Sequence, residues 1–238
     1  MRYAALVLAA ALPVLAAPQR ADIGTVESLV IQGTNEFRAS ESLSRLARNG
    51  KLDKAARSFA EHLANGGAFS HESGGTTPEI RVFQAGYQAC VIAENLARRY
   101  SSAGFNTKEL ADKLVQGWKD SPAHRKNMLE HDAIDTGLAV VYRSHDGIED
   151  FYAVQLLGTL ESATINFQVL NRNESPIVYR VNEKSFTLNP NMGRGHGRCA
   201  TPDVQFEGRA QGRFKPANGE CFLVPANGEV RREPGGCR

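Results

Sequence analysis

Residues 118–127 read WKDSPAHRKN. Ser121 followed by Pro122 is a helix-opening pair, because a serine hydroxyl can accept from an early backbone N–H and proline is tolerated at the first helical position. The ten residues therefore predict a helix end, a one-residue break and a new helix start. His124 falls in the first turn of the new helix, where the positive end of the dipole disfavours a second positive charge and favours neutral imidazole. Neutral imidazole can bind a metal or accept a proton. The alternative is a polar residue packed against the preceding helix.

Upstream, Leu110, Leu114 and Trp118 share one face and predict a helix over 107–118. Downstream, 136–142 (TGLAVVY) and 151–157 (FYAVQLL) flank the polar turn Ser144-His145-Asp146-Gly147, which reads as a hairpin. Val26, Leu29, Val30, Gly33 and Phe37 predict a helix over 24–39. Leu52, Ala55, Ala56, Phe59, Ala60 and Leu63 predict another over 52–64, closed by Asn65-Gly66-Gly67. A short helix is expected from Pro78 to Ala85, and 91–97 (VIAENLA) stays open between strand and helix. Helices before, between and around antiparallel strands make an α+β layered sandwich.

At the start of the chain, Arg2 precedes the apolar run AALVLAAALPVLAA. It is too short to span a bilayer and ends in small residues, so 1–17 reads as a secretory signal peptide cleaved after Ala16. The expected protein is secreted or periplasmic, keeps no membrane span after cleavage, and can form disulfides. The formal charge is +2, from 28 Lys and Arg against 26 Asp and Glu, and loss of Arg2 leaves +1. Basic residues are scattered without an aromatic-basic stripe, so no nucleic-acid partner is expected.

A composition change at Glu161–Thr164 divides a helical unit, 22–160, from a unit over 164–238 rich in Gly, Asn and short β-branched runs. No repeat of 20–50 residues occurs in either. The second unit predicts strands at 164–170, 177–181, 185–188, 204–206, 212–214 and 221–224, a small β-sandwich or barrel. So small a core is marginal and gains from disulfides. Cys199, Cys221 and Cys237 lie there and Cys90 lies in the first unit; four cysteines allow three pairings. The favoured one joins Cys199 to Cys221 or Cys237. Cys90 then remains either a buried thiol or a staple between the units.

Several motifs recur in a known order. They are Asn35-Glu36-Phe37-Arg38, Phe69-Ser70-His71, Gly86-Tyr87, Ala93-Glu94-Asn95-Leu96-Ala97, Trp118, Ser121 to Asn127 and Thr136-Gly137-Leu138-Ala139. Together they resemble the bacterial branch of the CAP superfamily, the SCP domain of cysteine-rich secretory, antigen 5 and pathogenesis-related proteins. The resemblance runs from about Val26 to Gly158. It implies an α-β-α sandwich with a cleft lined by His and Glu. His71 matches the first cleft histidine and Glu94 the carboxylate of the family's GENLA-like motif, with Ala93 in place of Gly. Ser121 stands where eukaryotic members carry a second Glu. The strand over 151–155 lacks their second His, and His124 is expected to take its place.

The expected site is therefore His71, Glu94 and His124. Two imidazoles and a carboxylate suggest an incomplete shell for a divalent metal such as zinc. The competing expectation is a satisfied polar network in which Glu94 orients His71. A peptidase-like hydrolase would need Ser70 or Ser121 as nucleophile with one of the histidines as base and Glu94 as orienter. Neither serine sits in a nucleophile elbow. His62 is expected on a solvated helix face. His196 and Cys199 lack the second pair of a zinc site. The leading expectation is an exported binding protein, and the resemblance implies a small lipid-like or cell-envelope ligand in the cleft, because other CAP members bind sterols and lipids. A secreted hydrolase, metal-assisted or not, and a structural envelope component are the alternatives.

Overall fold

The computed structural model describes residues 20–208, 213–226 and 229–237. The expected signal peptide at 1–17 and Gly212 of the expected strand 212–214 lie outside them. In chain order the first region comprises α1 (Ile23–Ser40), β1 (Ala47–Arg48), α2 (Gly50–Ala64), α3 (Pro78–Gln84), β2 (Ala89–Ser101), α4 (Thr107–Asp120), α5 (Pro122–Met128), β3 (Asp135–His145) and β4 (Ile148–Leu160). Its strands form one sheet in the order β1-β3-β4-β2, antiparallel except for the β1–β3 pair. The β3–β4 hairpin closes through Asp146-Gly147, both at positive φ, as a tight two-residue turn demands.

The pleat of this sheet assigns side chains to two cores. Leu138, Val140, Phe151 and Ala153 pack with Val26, Val30, Leu110, Leu114 and Trp118 from α1 and α4. Ala139, Val154 and Leu156 pack on the other face with Leu52, Ala56, Phe59 and Leu63 from α2. Helices on both faces make the α-β-α sandwich. The stretch 91–97, ambiguous in sequence, is strand, and Trp118 Nε1 donates to its Leu96 carbonyl at 3.1 Å.

A second all-β region follows a 3-10 turn at Glu161–Ala163. It has β5 (Ile165–Asn171), β6 (Ile177–Val181), β7 (Lys184–Leu188), β8 (Gly193–Arg198), β9 (Val204–Phe206), β10 (Glu220–Val224) and β11 (Arg231–Glu233). Two sheets, β11-β10-β5-β8 and β7-β6-β9, share a core of Phe167, Val169, Tyr179, Val181, Val204, Phe206, Phe222 and Val224. Strands β8 and β11 were not expected. Of the expected strand 212–214, Phe214 makes a single bridge to Val204.

The favoured disulfide pairing is corrected. Cys199 joins Cys90, and Cys221 joins Cys237. The strand order gives the reason: β5 lies between β8 and β10, so Cys199, just past β8, and Cys221 on β10 are not neighbours. Cys90 is exposed rather than buried, and its bond is the staple between the regions.

Inside the β core, His196 is 7% exposed, stacks on Phe167 at 5.0 Å and lies 2.8 Å from Tyr179 Oη through Nε2. Burial, reinforced by Arg198 and Arg194, lowers its pKa to about 4. Because the folded value lies below the unfolded one, the stabilisation from neutral His196 is complete above the unfolded value near 6.5. It drains away as pH falls from there toward 4. We expect chemical denaturation to show the β region losing up to ~3 kcal/mol over that window. A His196→Phe variant should lack this component. A second prediction concerns Gly137, where an added Cβ would collide with the backbone of Leu52 and Asp53. Gly137→Ala should cost about 3 kcal/mol by forcing α2 off the sheet, read by thermal unfolding.

Candidate functional site

Glu94 stands on β2 with its side chain 1% exposed, so its carboxylate needs partners inside the protein. His71 Nδ1 lies 2.9 Å from Oε1, and Arg81 Nη2 donates to Oε2 at 2.7 Å. The guanidinium comes from α3, whose start is set by Thr77 as cap and Pro78 in the first turn. Arg81 also binds the carbonyls of His71 and Thr76, each at 3.1 Å, and so ties down the loop that carries His71. It lies flat on Phe59, 3.5 Å from the ring centroid. The His71 side chain is 51% exposed. With Nδ1 turned to Glu94, its Nε2 is the nitrogen left for a ligand.

His124 reaches this site on α5. Asn127 Nδ2 donates to the Glu94 carbonyl at 2.8 Å and to Asn95 Oδ1 at 3.0 Å, and Asn95 Nδ2 donates to the His124 carbonyl at 3.3 Å. Asn95 Nδ2 also donates to Gln155 Oε1 at 3.0 Å, and Gln155 Nε2 to Thr34 Oγ1 at 2.9 Å. This chain fixes α5 to the sheet from within. The His124 pKa is lowered, first by burial and then by repulsion from His71. Neutral imidazole was expected from the helix dipole; burial and the neighbouring histidine produce it instead.

The expected residues thus gather in part. His71 and Glu94 touch, and His124 is close enough to feel the charge of His71. Ser70 is exposed, and its Oγ accepts from the Glu72 N–H at 3.3 Å in a local turn. Ser121 occupies the first cap position of α5 but its hydroxyl makes no capping bond there. Among the described residues no hydrogen bond joins either serine to His71 or His124.

The zinc shell expected from His71, His124 and Glu94 does not fit the arrangement. Among the described residues, no group of three or more His, Cys, Asp and Glu is placed to hold a metal ion. Both Glu94 oxygens are occupied, one by a guanidinium whose charge would oppose a cation. Arg125, next to His124 on α5, pairs with Glu41 at 2.6 Å. His62 is not solvated: its Nε2 lies 2.8 Å from Ser73 Oγ and its ring stacks on Phe59.

Arg81 was missed, although its place one turn after Thr77-Pro78, beside buried Val82, marks it as inward-facing. Exposed apolar residues occur on the same two segments that carry His71 and Arg81. Phe69 is 50% exposed two residues before His71, and Ile80 (42%) and Phe83 (62%) flank Arg81 on α3.

Helices on both faces of a four-stranded sheet, with a His–Glu dyad on its edge strand, define an α-β-α sandwich domain. The chain belongs to the cysteine-rich secretory protein family, CAP, whose model matches residues 31–157. Among solved structures it is similar to an outer surface protein from Borrelia burgdorferi, at 22% identity and TM-score 0.50, covering 60% of this chain and 98% of that one. An extracellular protein containing a SCP domain from Bacillus anthracis matches at 22% identity and TM-score 0.47, over 57% of this chain and 41% of its own. A cysteine-rich secretory protein from Staphylococcus aureus matches at 20% identity and TM-score 0.43, over 61% and 41%. The first of these is a likeness of fold. No curated protein matches the sequence.

Two outcomes test the site's electrostatics. Arg81→Ala leaves Glu94 buried without its cation and should destabilise the protein by about 3–5 kcal/mol in urea unfolding. His71→Ala removes a repelling charge and should raise the pKa of His124 in an NMR titration. An unchanged value would mean that burial alone sets it.

Proposed function

We propose that the chain is an exported binding protein, secreted or periplasmic, whose His71–Glu94 cleft takes a small lipid-like or cell-envelope ligand. The observation that carries this reading is a half-exposed imidazole backed by a buried carboxylate, with exposed apolar side chains at Phe69 on the same loop and at Ile80 and Phe83 on α3, the helix that supplies Arg81. Such an edge suits an amphiphile. Its polar head would bond His71 Nε2 and its apolar part would cover Phe69 and the outer face of α3. Glu94 and Arg81 act behind the imidazole, fixing its tautomer and orientation.

Export is supported by the signal-like sequence at 1–17 and by two disulfides, which persist in oxidising compartments. No helix among the described residues is long and apolar enough to cross a membrane. The hydrolase alternative retains a base and its orienter, His71 and Glu94, but among the described residues neither serine hydroxyl hydrogen-bonds to them. The structural-component alternative predicts that the cleft residues are dispensable.

The test is titration of the mature protein with a fluorescent fatty acid, beside His71→Ala and Phe83→Ser. Saturable one-site binding, weakened at least about tenfold by each substitution, is expected. Wild-type protein that fails to bind, or variants that bind as wild type, would sink the reading. Turnover of ester or peptide substrates lost in His71→Ala would transfer the site to the hydrolase class.

A further inference from the structure

A groove of about 750 Å³ lies where the two regions meet, away from the His71 cleft. One wall is the turn at His131–Asp132, between α5 and β3. This turn is held from below by Arg38, 1% exposed, which donates to the carbonyls of Met128 at 2.9 Å, Glu130 at 2.8 Å and Ala133 at 3.3 Å. The Thr159 hydroxyl adds a bond to the Asp132 carbonyl. The wall is rigid before any ligand arrives.

The other wall is the three-stranded sheet of the β region and the segment beside it. Arg180 points outward from β6, opposite Gln205 of β9. Lys184 begins β7, Arg198 ends β8, and Arg213 precedes the Phe214 bridge to Val204. Cys199 follows Arg198 directly, so the Cys90–Cys199 bond holds this wall to the first region.

Seven arginines pair with carboxylates, Arg20, Arg48, Arg57, Arg81, Arg98, Arg125 and Arg232, whereas others outside the groove, such as Arg99 and Arg194, make no ion pair among the described residues. In the groove, among the described residues, none of the four cations makes an ion pair. Arg198 donates only to the adjacent Gly197 carbonyl. Glu183 and Asp203 line the same groove yet pair with none of them, and Asp132 lies 3.1 Å from His131 instead. The four cations share the groove with three carboxylates, Asp132, Glu183 and Asp203, which leaves an excess of one positive charge that a bound anion would offset. Guanidinium forks match carboxylate and phosphate oxygens, and the space is that of a small-molecule site rather than a single-ion site.

We propose that this groove is a second binding site, for a small polyanion carrying several phosphate or carboxylate groups, assembled from both regions and held open by the Cys90–Cys199 bond. Arg180 and Arg213 supply the forks, and the pinned turn at 131–132 supplies the opposing wall.

The experiment is calorimetric titration of the mature chain with tripolyphosphate, and in parallel with citrate, at low and at physiological salt. One-site binding that weakens as salt rises is expected. The Arg180→Gln/Arg213→Gln variant, altered at exposed positions and checked for wild-type thermal unfolding, should bind at least about tenfold more weakly. Cys90→Ser/Cys199→Ser should also weaken binding by separating the walls, while His71→Ala should bind as wild type. Binding of either anion with this pattern supports the site, and the tighter one names the group. Absence of binding for both, or equal affinity in the arginine variant, overturns it.

Discussion

A carboxylate placed inside a sheet has to be neutralised where it stands, and the arrangement of His71 and Arg81 follows from how this chain does so for Glu94. Leaving the charge unpaired would cost several kcal/mol. The solution draws a cation from α3 and an imidazole from the preceding loop onto the two oxygens. That requirement sets where α3 begins, why the 71–76 loop folds back on it, and why Phe59 of α2 is covered by a guanidinium rather than by another aliphatic group.

The same strand disposes of its backbone in a way that brings in the second histidine. The Glu94 carbonyl faces away from β4 toward α5, where Asn127 meets it, and Asn95 passes the polar chain inward through Gln155 to Thr34. A seven-residue helix has little stability of its own. Docked by these amides, it can hold His124 in a half-buried place beside His71. The cost of charging both imidazoles falls on His124, the more buried of the two. Satisfied hydrogen bonding organises the site.

Much of this was legible in the sequence because the helices are amphipathic and their ends carry explicit signals. Ser121-Pro122 marked α5, Asn65-Gly66-Gly67 marked the end of α2, and Asp146-Gly147 marked the hairpin. What failed did so for physical reasons. Residues Glu94 to Ala97 are all buried, so β2 shows no alternation and its strand character was hidden. Strand β8 reads GRGHGR, and only His196 among its side chains enters the core, so nothing in its composition announced it. His71 and Glu94 were singled out by their motifs and do touch, whereas Arg81 was not singled out. A charged residue on a short helix is ordinarily solvated, and only the tertiary position of Glu94 draws it inside.

The β region depends on different means. Its core is small and aromatic, with Phe167, Tyr179, Phe206, Phe214 and Phe222 in mutual or chained contact around His196. Domains of this size bury too small a fraction of their surface to be more than marginal. The two disulfides make unequal contributions. Cys221–Cys237 spans 16 residues and closes β11 and its tail onto β10, and such a loop is worth about 3 kcal/mol of chain entropy. Cys90–Cys199 spans 109 residues, for which the same relation gives about 5 kcal/mol. The longer loop crosses from the edge strand β2 into the β region, so its stabilisation goes into relative placement as much as into either core. Where two regions share few packed side chains, a covalent tie is what allows residues of both to form one wall-to-wall site. Arg198, one of the groove's cations, directly precedes Cys199 and so stands at the tie itself.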